Sequence, residues 1–156
     1  AKEMGADFTL MSPANAGYYA SFEEIWARLV KTIRELADHA EQIGHKIVLE
    51  ALTPFESNVC KSAHDPAEVF RRVDSPALYG MCDIVPPFVQ PESIMAYFDK
   101  LGDRMHHLHI IDSDGVSDTH VMPGEGRIPL PELMGELKER VYQGTATIEL
   151  VTAYIN

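Results

Sequence analysis

Basic residues are scarce. Thirteen Lys and Arg stand against 24 Asp and Glu, leaving a formal net charge of −11. Nucleic acids and anionic membranes are bound through clustered Lys and Arg, so neither is an expected partner. Cysteine is nearly absent, with only Cys60 and Cys82. Neither their spacing nor their context suggests a metal cluster or a disulfide framework, and a reducing cytoplasm is the expected location. No apolar run approaches the length of a membrane span, and no signal peptide is visible. The 156 residues are 46% hydrophobic, which suits one globular unit with its own core. A soluble enzyme acting on a neutral or cationic small molecule is compatible with all of this. The first residue is not Met, so the expectation is a processed or truncated product.

Apolar spacing and turn signals predict alternating strands and helices. Ala1 to Ala6 reads as the last turn of a helix closed by Gly5, and a strand follows over Asp7 to Ser12. Ser21 and Glu24 form a capping-box signature. After them Phe22, Ile25, Trp26, Leu29, Ile33, Leu36, Ala37 and Ala40 recur at helical spacing, up to Gly44. Lys46 to Leu52 is the next strand, and Asp65 then reads as an N-cap with Pro66 at the first helical position. Strands are further expected at Tyr79 to Ile84, Met105 to Asp112 and Thr145 to Val151. Helices are expected from Pro91 to Asp99 and from Pro131 to Val141, with a Gly- and Asp-rich loop from Ser113 to Ile128.

Such alternation means parallel strands joined by crossover helices, in a doubly wound sheet or a (β/α)8 TIM barrel. No Gly-rich phosphate fingerprint follows any strand, which favours the barrel. Five strands cannot close an eight-strand barrel. The expectation is therefore one domain over residues 1–156, representing strands 4 to 8 of a longer α/β barrel chain. Open sheet edges would make the chain aggregation-prone unless it pairs, so a homo-oligomer is a candidate state.

In such barrels the chemistry sits at the C-terminal ends of the strands. Here four successive strands each bring a ligand-type side chain near that end: Glu50, Asp83, His109 and Glu149. A lone carboxylate in an apolar strand is costly to bury, and a divalent cation would supply the missing charge. Three carboxylates and one imidazole suit Mn2+, Mg2+ or Co2+ better than a structural zinc. A metal beside two carboxylates can polarise the carbonyl and hydroxyl of a ketose. One Glu would remove the neighbouring carbon's proton and another return one to the opposite face, through an enediolate. Epimerisation requires two such groups on opposite faces of the substrate, and Glu50 and Glu149 come from strands separated by two others. His106 and His107 read as packing or hydrogen-bonding residues. Cys82 alternates away from Asp83 and should lie inert under the helices. Asp112 and Asp114 read as second-layer groups or loop caps.

At these residues the chain resembles the sugar phosphate isomerase/epimerase superfamily of xylose isomerase-like barrels. The stretches that carry the resemblance are Leu49 to Asn58, Tyr97 to Asp103, His107 to Gly115, Pro123 to Gly126 and Ile148 to Thr152. It extends over essentially the whole chain, with ketose 3-epimerases of the tagatose and psicose type as more distant relatives. The resemblance implies that Glu50, Asp83, His109 and Glu149 bind the metal, with Mn2+ expected and Co2+, Mg2+ or Ni2+ as alternatives. It also implies that Glu50 and Glu149 are the acid/base pair and that Glu56 contacts a substrate hydroxyl. His120 and Glu125, in the long loop, are further candidates for substrate binding. Those relatives carry a His three residues after the metal-binding Asp, where this chain has Pro86. They carry an Arg six residues after the metal-binding His, where it has Gly115. Both contact sugar hydroxyls in the relatives, so the implied substrate is a ketose bearing an amino-acid substituent rather than a simple ketose. Another small sugar or polyol isomerase or dehydratase is the alternative on the same scaffold. An abasic-site endonuclease would need many more His ligands and a basic groove, which seven His and the acidic balance do not provide. An inactive fragment is the remaining reading.

Overall fold

A computed structural model describes residues 1–151. Thr152, the last residue of the final resemblance stretch, lies outside the described residues. Five strands, β1 (Phe8–Met11), β2 (Lys46–Leu49), β3 (Leu78–Asp83), β4 (Met105–His109) and β5 (Thr145–Thr147), pair in the order β1-β2-β3-β4-β5. Every pairing is parallel. Sequential neighbours with no reversal of order exclude the doubly wound alternative, whose sheet reverses at a switch point, and leave the winding of an α/β barrel. Among the described residues β1 and β5 each have a neighbour on one side only. They are correspondingly more exposed than the three strands between them.

The longest crossover is α1 (Phe22–Ile43). Both halves of the expected capping box form: the Ser21 hydroxyl accepts from the Glu24 N–H, and the Glu24 carboxylate accepts from the Ser21 N–H. Gly44 ends the helix in the left-handed region, at φ 63°, where a side chain is disfavoured. The apolar stripe turns inward, burying Ile25, Trp26, Ile33, Ala37 and Ala40. Each large aliphatic side chain so buried contributes about 1.5–3 kcal/mol. Phe22 stays on the surface, stacked on Trp26 at 5.9 Å between ring centroids. Helices α2 (His64–Val73), α4 (Met95–Leu101) and α5 (Leu130–Glu139) continue the outer layer through Val69, Phe70, Tyr97, Phe98 and Leu133.

Several boundaries differ from expectation. Asp65 is not the N-cap of α2, which begins one residue earlier; its carboxylate reaches back to the N–H groups of Lys61 and Ser62. The helix expected from Pro91 begins at Met95, and a five-residue helix, α3 (Val85–Val89), precedes it. The fifth strand is shorter than expected because β4, its ladder partner, ends at His109. Val151, at the far end of the expected strand, instead forms an isolated antiparallel bridge with His120.

Candidate metal centre

Register brings the four candidate ligands onto one face. Val48 lies opposite Tyr79, Met81 opposite His107, and Asp83 opposite His109, which in turn faces Thr147. Side chains alternate with a period of two, so Glu50, Asp83, His109 and Glu149 point the same way. This depends on an irregularity. Gly80 pairs with Met105 but Met81 pairs with His107, leaving His106 as an extra residue in β4. Without that bulge Asp83 would oppose Leu108, and His109 would turn toward the helices. His106 packs its ring against Phe8 and Tyr79.

The four side chains offer one donor atom each, all within 4.8 Å of one another. Octahedral donors about 2.1 Å from an ion span about 4.2 Å across it, so a small contraction would close this set on a cation. Glu50, Asp83 and His109 are buried; the Glu149 side chain is 40% exposed and forms the open side. The His109 Nδ1 lies 2.8 Å from Glu149 Oε2, 3.3 Å from Glu50 Oε1 and 3.6 Å from Asp83 Oδ2. None of these oxygens meets it in hydrogen-bond geometry, so the atom is buried without a partner.

The electrostatics tell the same story. Burial opposes a charge on His109, yet the carboxylates of Asp83, Glu149 and Glu50 push its pKa up to about 11. Burial raises the Glu50 carboxyl, with the negative charges of Asp83 and Glu149 adding to it. Asp83 is held down at about 2: burial opposes its charge, and the neighbouring imidazoles of His109 and His120 outweigh it. A nest of three carboxylates that draws a proton this strongly, around a donor atom with no partner, fits a divalent cation.

The other sequence candidates fall at different distances from this centre. His120 joins it: Nε2 lies 3.1 Å from Asp83 Oδ2 and 4.0 Å from Glu149 Oε2. Glu56 stands in the loop after β2, where its Oε2 accepts from the Thr53 hydroxyl at 3.0 Å. Glu125 is exposed in the turn at Gly124, and among the described residues its side chain makes no hydrogen bond or ion pair with the cluster. Asp118, which the sequence did not single out, has an Oδ1 shut off from solvent and unpartnered, 3.8 Å from His120 Nδ1. Burial raises its carboxyl, and the charge of Glu56 adds to the effect. An Asp-x-His pair in the loop was the available signal, but loop residues carry no periodicity to aim them. His107 points into the barrel face with its ring nitrogens 2.6 Å and 3.1 Å from the hydroxyls of Thr145 and Thr147. Cys82 is fully buried, and burial pushes its thiol well above the usual range, as an inert core residue requires.

The fold and this strand-end cluster define the class. Residues 1–154 match the xylose isomerase-like TIM barrel family, and the chain belongs to that family. Among curated relatives it is 53% identical over all 156 residues to fructoselysine 3-epimerase of Shigella flexneri, covering 56% of that protein. It is 29% identical over 124 residues to D-psicose 3-epimerase of Ruminiclostridium cellulolyticum, covering 80% of this chain and 41% of the relative. The solved structure of a D-tagatose 3-epimerase-like protein superposes with a TM-score of 0.84 at 26% identity, over 95% of this chain and 57% of the other. The chain thus spans a little over half the length of the fructoselysine 3-epimerases it matches.

Proposed function

We propose that this chain carries the metal centre of a ketose 3-epimerase whose substrate is fructoselysine and whose product is psicoselysine. The observation that carries the reading is the strand-end cluster itself, in which carboxylates from two separated strands flank one buried, unpartnered imidazole nitrogen. Glu50, Asp83, His109 and Glu149 would hold the cation, with Mn2+ the best suited. When bound, it supplies Lewis acidity toward the carbonyl and adjacent hydroxyl of the ketose. Glu50 and Glu149 are the proton carriers, one removing the C3 proton and the other returning a proton to the opposite face.

Identity to fructoselysine 3-epimerase over the full chain supports this substrate. So does the lining. Glu56 and Asp118 add negative charge near Asp83, which suits the ammonium of an amino-substituted ketose. Gly115 sits at φ +75°, and a Cβ there would meet Phe88 Cε1 at 2.8 Å. No long side chain can reach sugar hydroxyls from that position without displacing Phe88. Glu56, His120 and Glu125 remain the proposed substrate-side groups, with His120 the nearest to the cluster.

The test is proton exchange. The chain with Mn2+ in deuterated water is offered fructoselysine, psicose and tagatose separately. Deuterium at C3 of fructoselysine, with little in the other two, is the expected result. No exchange in any of them by a chain that has bound metal would sink the epimerase reading. Glu149→Gln should keep the metal and lose the exchange.

A further inference from the structure

We infer that His120 is a positioning residue, fixed by the loop between β4 and α5 and backed by Asp118, that orients Asp83 toward the cation. The inference rests on the proposal that this centre holds a divalent metal.

The loop is fastened at many points, and the fastenings converge on His120. The buried Asp112 carboxylate accepts from the N–H groups of Ser113, Gly124 and Ile128, all at 2.9 Å. Asp112 and Val121 exchange backbone hydrogen bonds at 3.0 Å, closing the loop base immediately after His120. On the other side Thr119 bonds the Ser113 hydroxyl and the Asp114 N–H. His120 itself bridges to Val151, two residues beyond Glu149. A loop so constrained holds one side chain at a fixed place, and that side chain is 7% exposed.

Its ring then acts on Asp83. Oδ1 of Asp83 accepts from the Val85 N–H at 2.7 Å, and Oδ2 faces His120 Nε2 at 3.1 Å. The carboxylate torsion is broad on its own. Two partners, one on each oxygen, fix its plane. This is the arrangement by which outer groups aim metal ligands. Behind the ring, His120 Nδ1 and Asp118 Oδ1 are both sealed from solvent without partners, 3.8 Å apart. Unpartnered buried polar atoms are costly, and an approach of about 1 Å would turn this gap into a hydrogen bond. The result is a line from Asp118 through His120 to Asp83.

Mn2+ affinity tests this, read from the electron paramagnetic resonance of the free ion, with the metal-free melting temperature as a check on folding. Against the parent chain, His120→Ala should weaken binding about 10- to 100-fold. His120→Gln should recover most of the loss, because its amide nitrogen can take the place of Nε2 and donate to Asp83. Asp118→Asn should weaken binding only while His120 is present, adding nothing to His120→Ala. A parent chain that binds no Mn2+ overturns the metal reading itself, and this inference with it. A parent that binds, with His120→Ala unchanged or His120→Gln no better than Ala at equal melting temperature, overturns the positioning role alone. Should His120→Ala fail to fold, Gln against the shorter Asn decides the matter in the same way.

Discussion

Asp112 offers the sharpest test of how the β4–α5 loop is held. Its carboxylate is buried and takes three backbone N–H groups at 2.9 Å, those of Ser113, Gly124 and Ile128. Asp112→Ala leaves all three without an acceptor. Each buried donor so stranded costs about 1–3 kcal/mol, and Gly124, being exposed, can turn to water. The expected loss is about 3–5 kcal/mol, a large share of the stability of an ordinary domain. Asp112→Asn is milder. Its oxygen can keep Ser113 and Ile128, which share Oδ1, while its amide faces the Gly124 N–H donor to donor, for a loss of about 1–2 kcal/mol. In a chain of this size each kcal/mol moves the melting temperature by about 3 °C, so Asn should lower it by about 3–6 °C and Ala by about 10 °C or more. The pH dependence supplies a second reading. Burial opposes the Asp112 charge, but backbone N–H groups, that of Ile128 foremost, outweigh it and hold the folded pKa below its usual value. That contribution is full above the unfolded pKa of about 3.9 and disappears as pH falls through the folded value. The gap between parent and Asn variant should therefore narrow in acid. Melting temperatures by calorimetry at pH 7 and at pH 3 check both points. An Asn variant that melts with the parent, or an Ala variant no worse than Asn, would refute the account of the loop.

Two further outcomes follow from groups away from the loop. His107 is buried, and burial, then the charges of His109 and His106, lower its pKa to about 4. A base that is neutral in the fold gives stability that is full above the unfolded pKa of about 6.5 and is lost as pH falls toward 4. An imidazole titration by nuclear magnetic resonance should find that ring titrating near the lower value, and a normal value would contradict its burial against Thr145 and Thr147. Gly80→Ala would set a Cβ 2.8 Å from Leu101 Cδ1 and 3.0 Å from Phe70 Cζ, both buried, beside the bulge in the ladder. A destabilisation of about 1–3 kcal/mol in a denaturant titration is expected, and a neutral variant would show that the α2 and α4 side chains give way freely.

Much of the outer layer was legible because local chemistry decided it. Ser21 and Glu24 satisfy each other's backbone within one helical turn, and the Trp26, Ile33, Ala37 and Ala40 stripe needs no partner to be recognised as a buried face. What was missed depended on distant residues. The five residues of α3, with Pro86 and Pro87 in its first turn, are too few to show a period. Asp65 reads as a cap in the sequence, whereas α2 starts at His64 and the Ala63 N–H donates to Glu92, 29 residues away, at 3.2 Å. The apolar pattern of the fifth strand continues past Thr147, the point where its pairing with β4 ends. Sequence pattern reports which face a segment presents, and it says nothing of when the neighbour stops.

The candidate metal centre shows the same limit more sharply. Alternation along each strand assigned Glu50, Asp83, His109 and Glu149 a face within their own strands. It could not relate one strand's face to the next, because that is a matter of register. Between β3 and β4 the relation turns on one extra residue. The run His106-His107-Leu108-His109 contains histidines of both parities, and straight pairing from Gly80 opposite Met105 would set Leu108 against Asp83. The bulge at His106 reverses this, putting His107 and His109 on the inner face and leaving His106 against Phe8 and Tyr79. Gly80, with no room for a Cβ beside Leu101 and Phe70, lets β3 lie close to the helices where the ladder slips. Convergence of the four candidate ligands is therefore a property of the sheet and not of any one strand. A substitution at Gly80, chemically remote from the cluster, can reach it through the register.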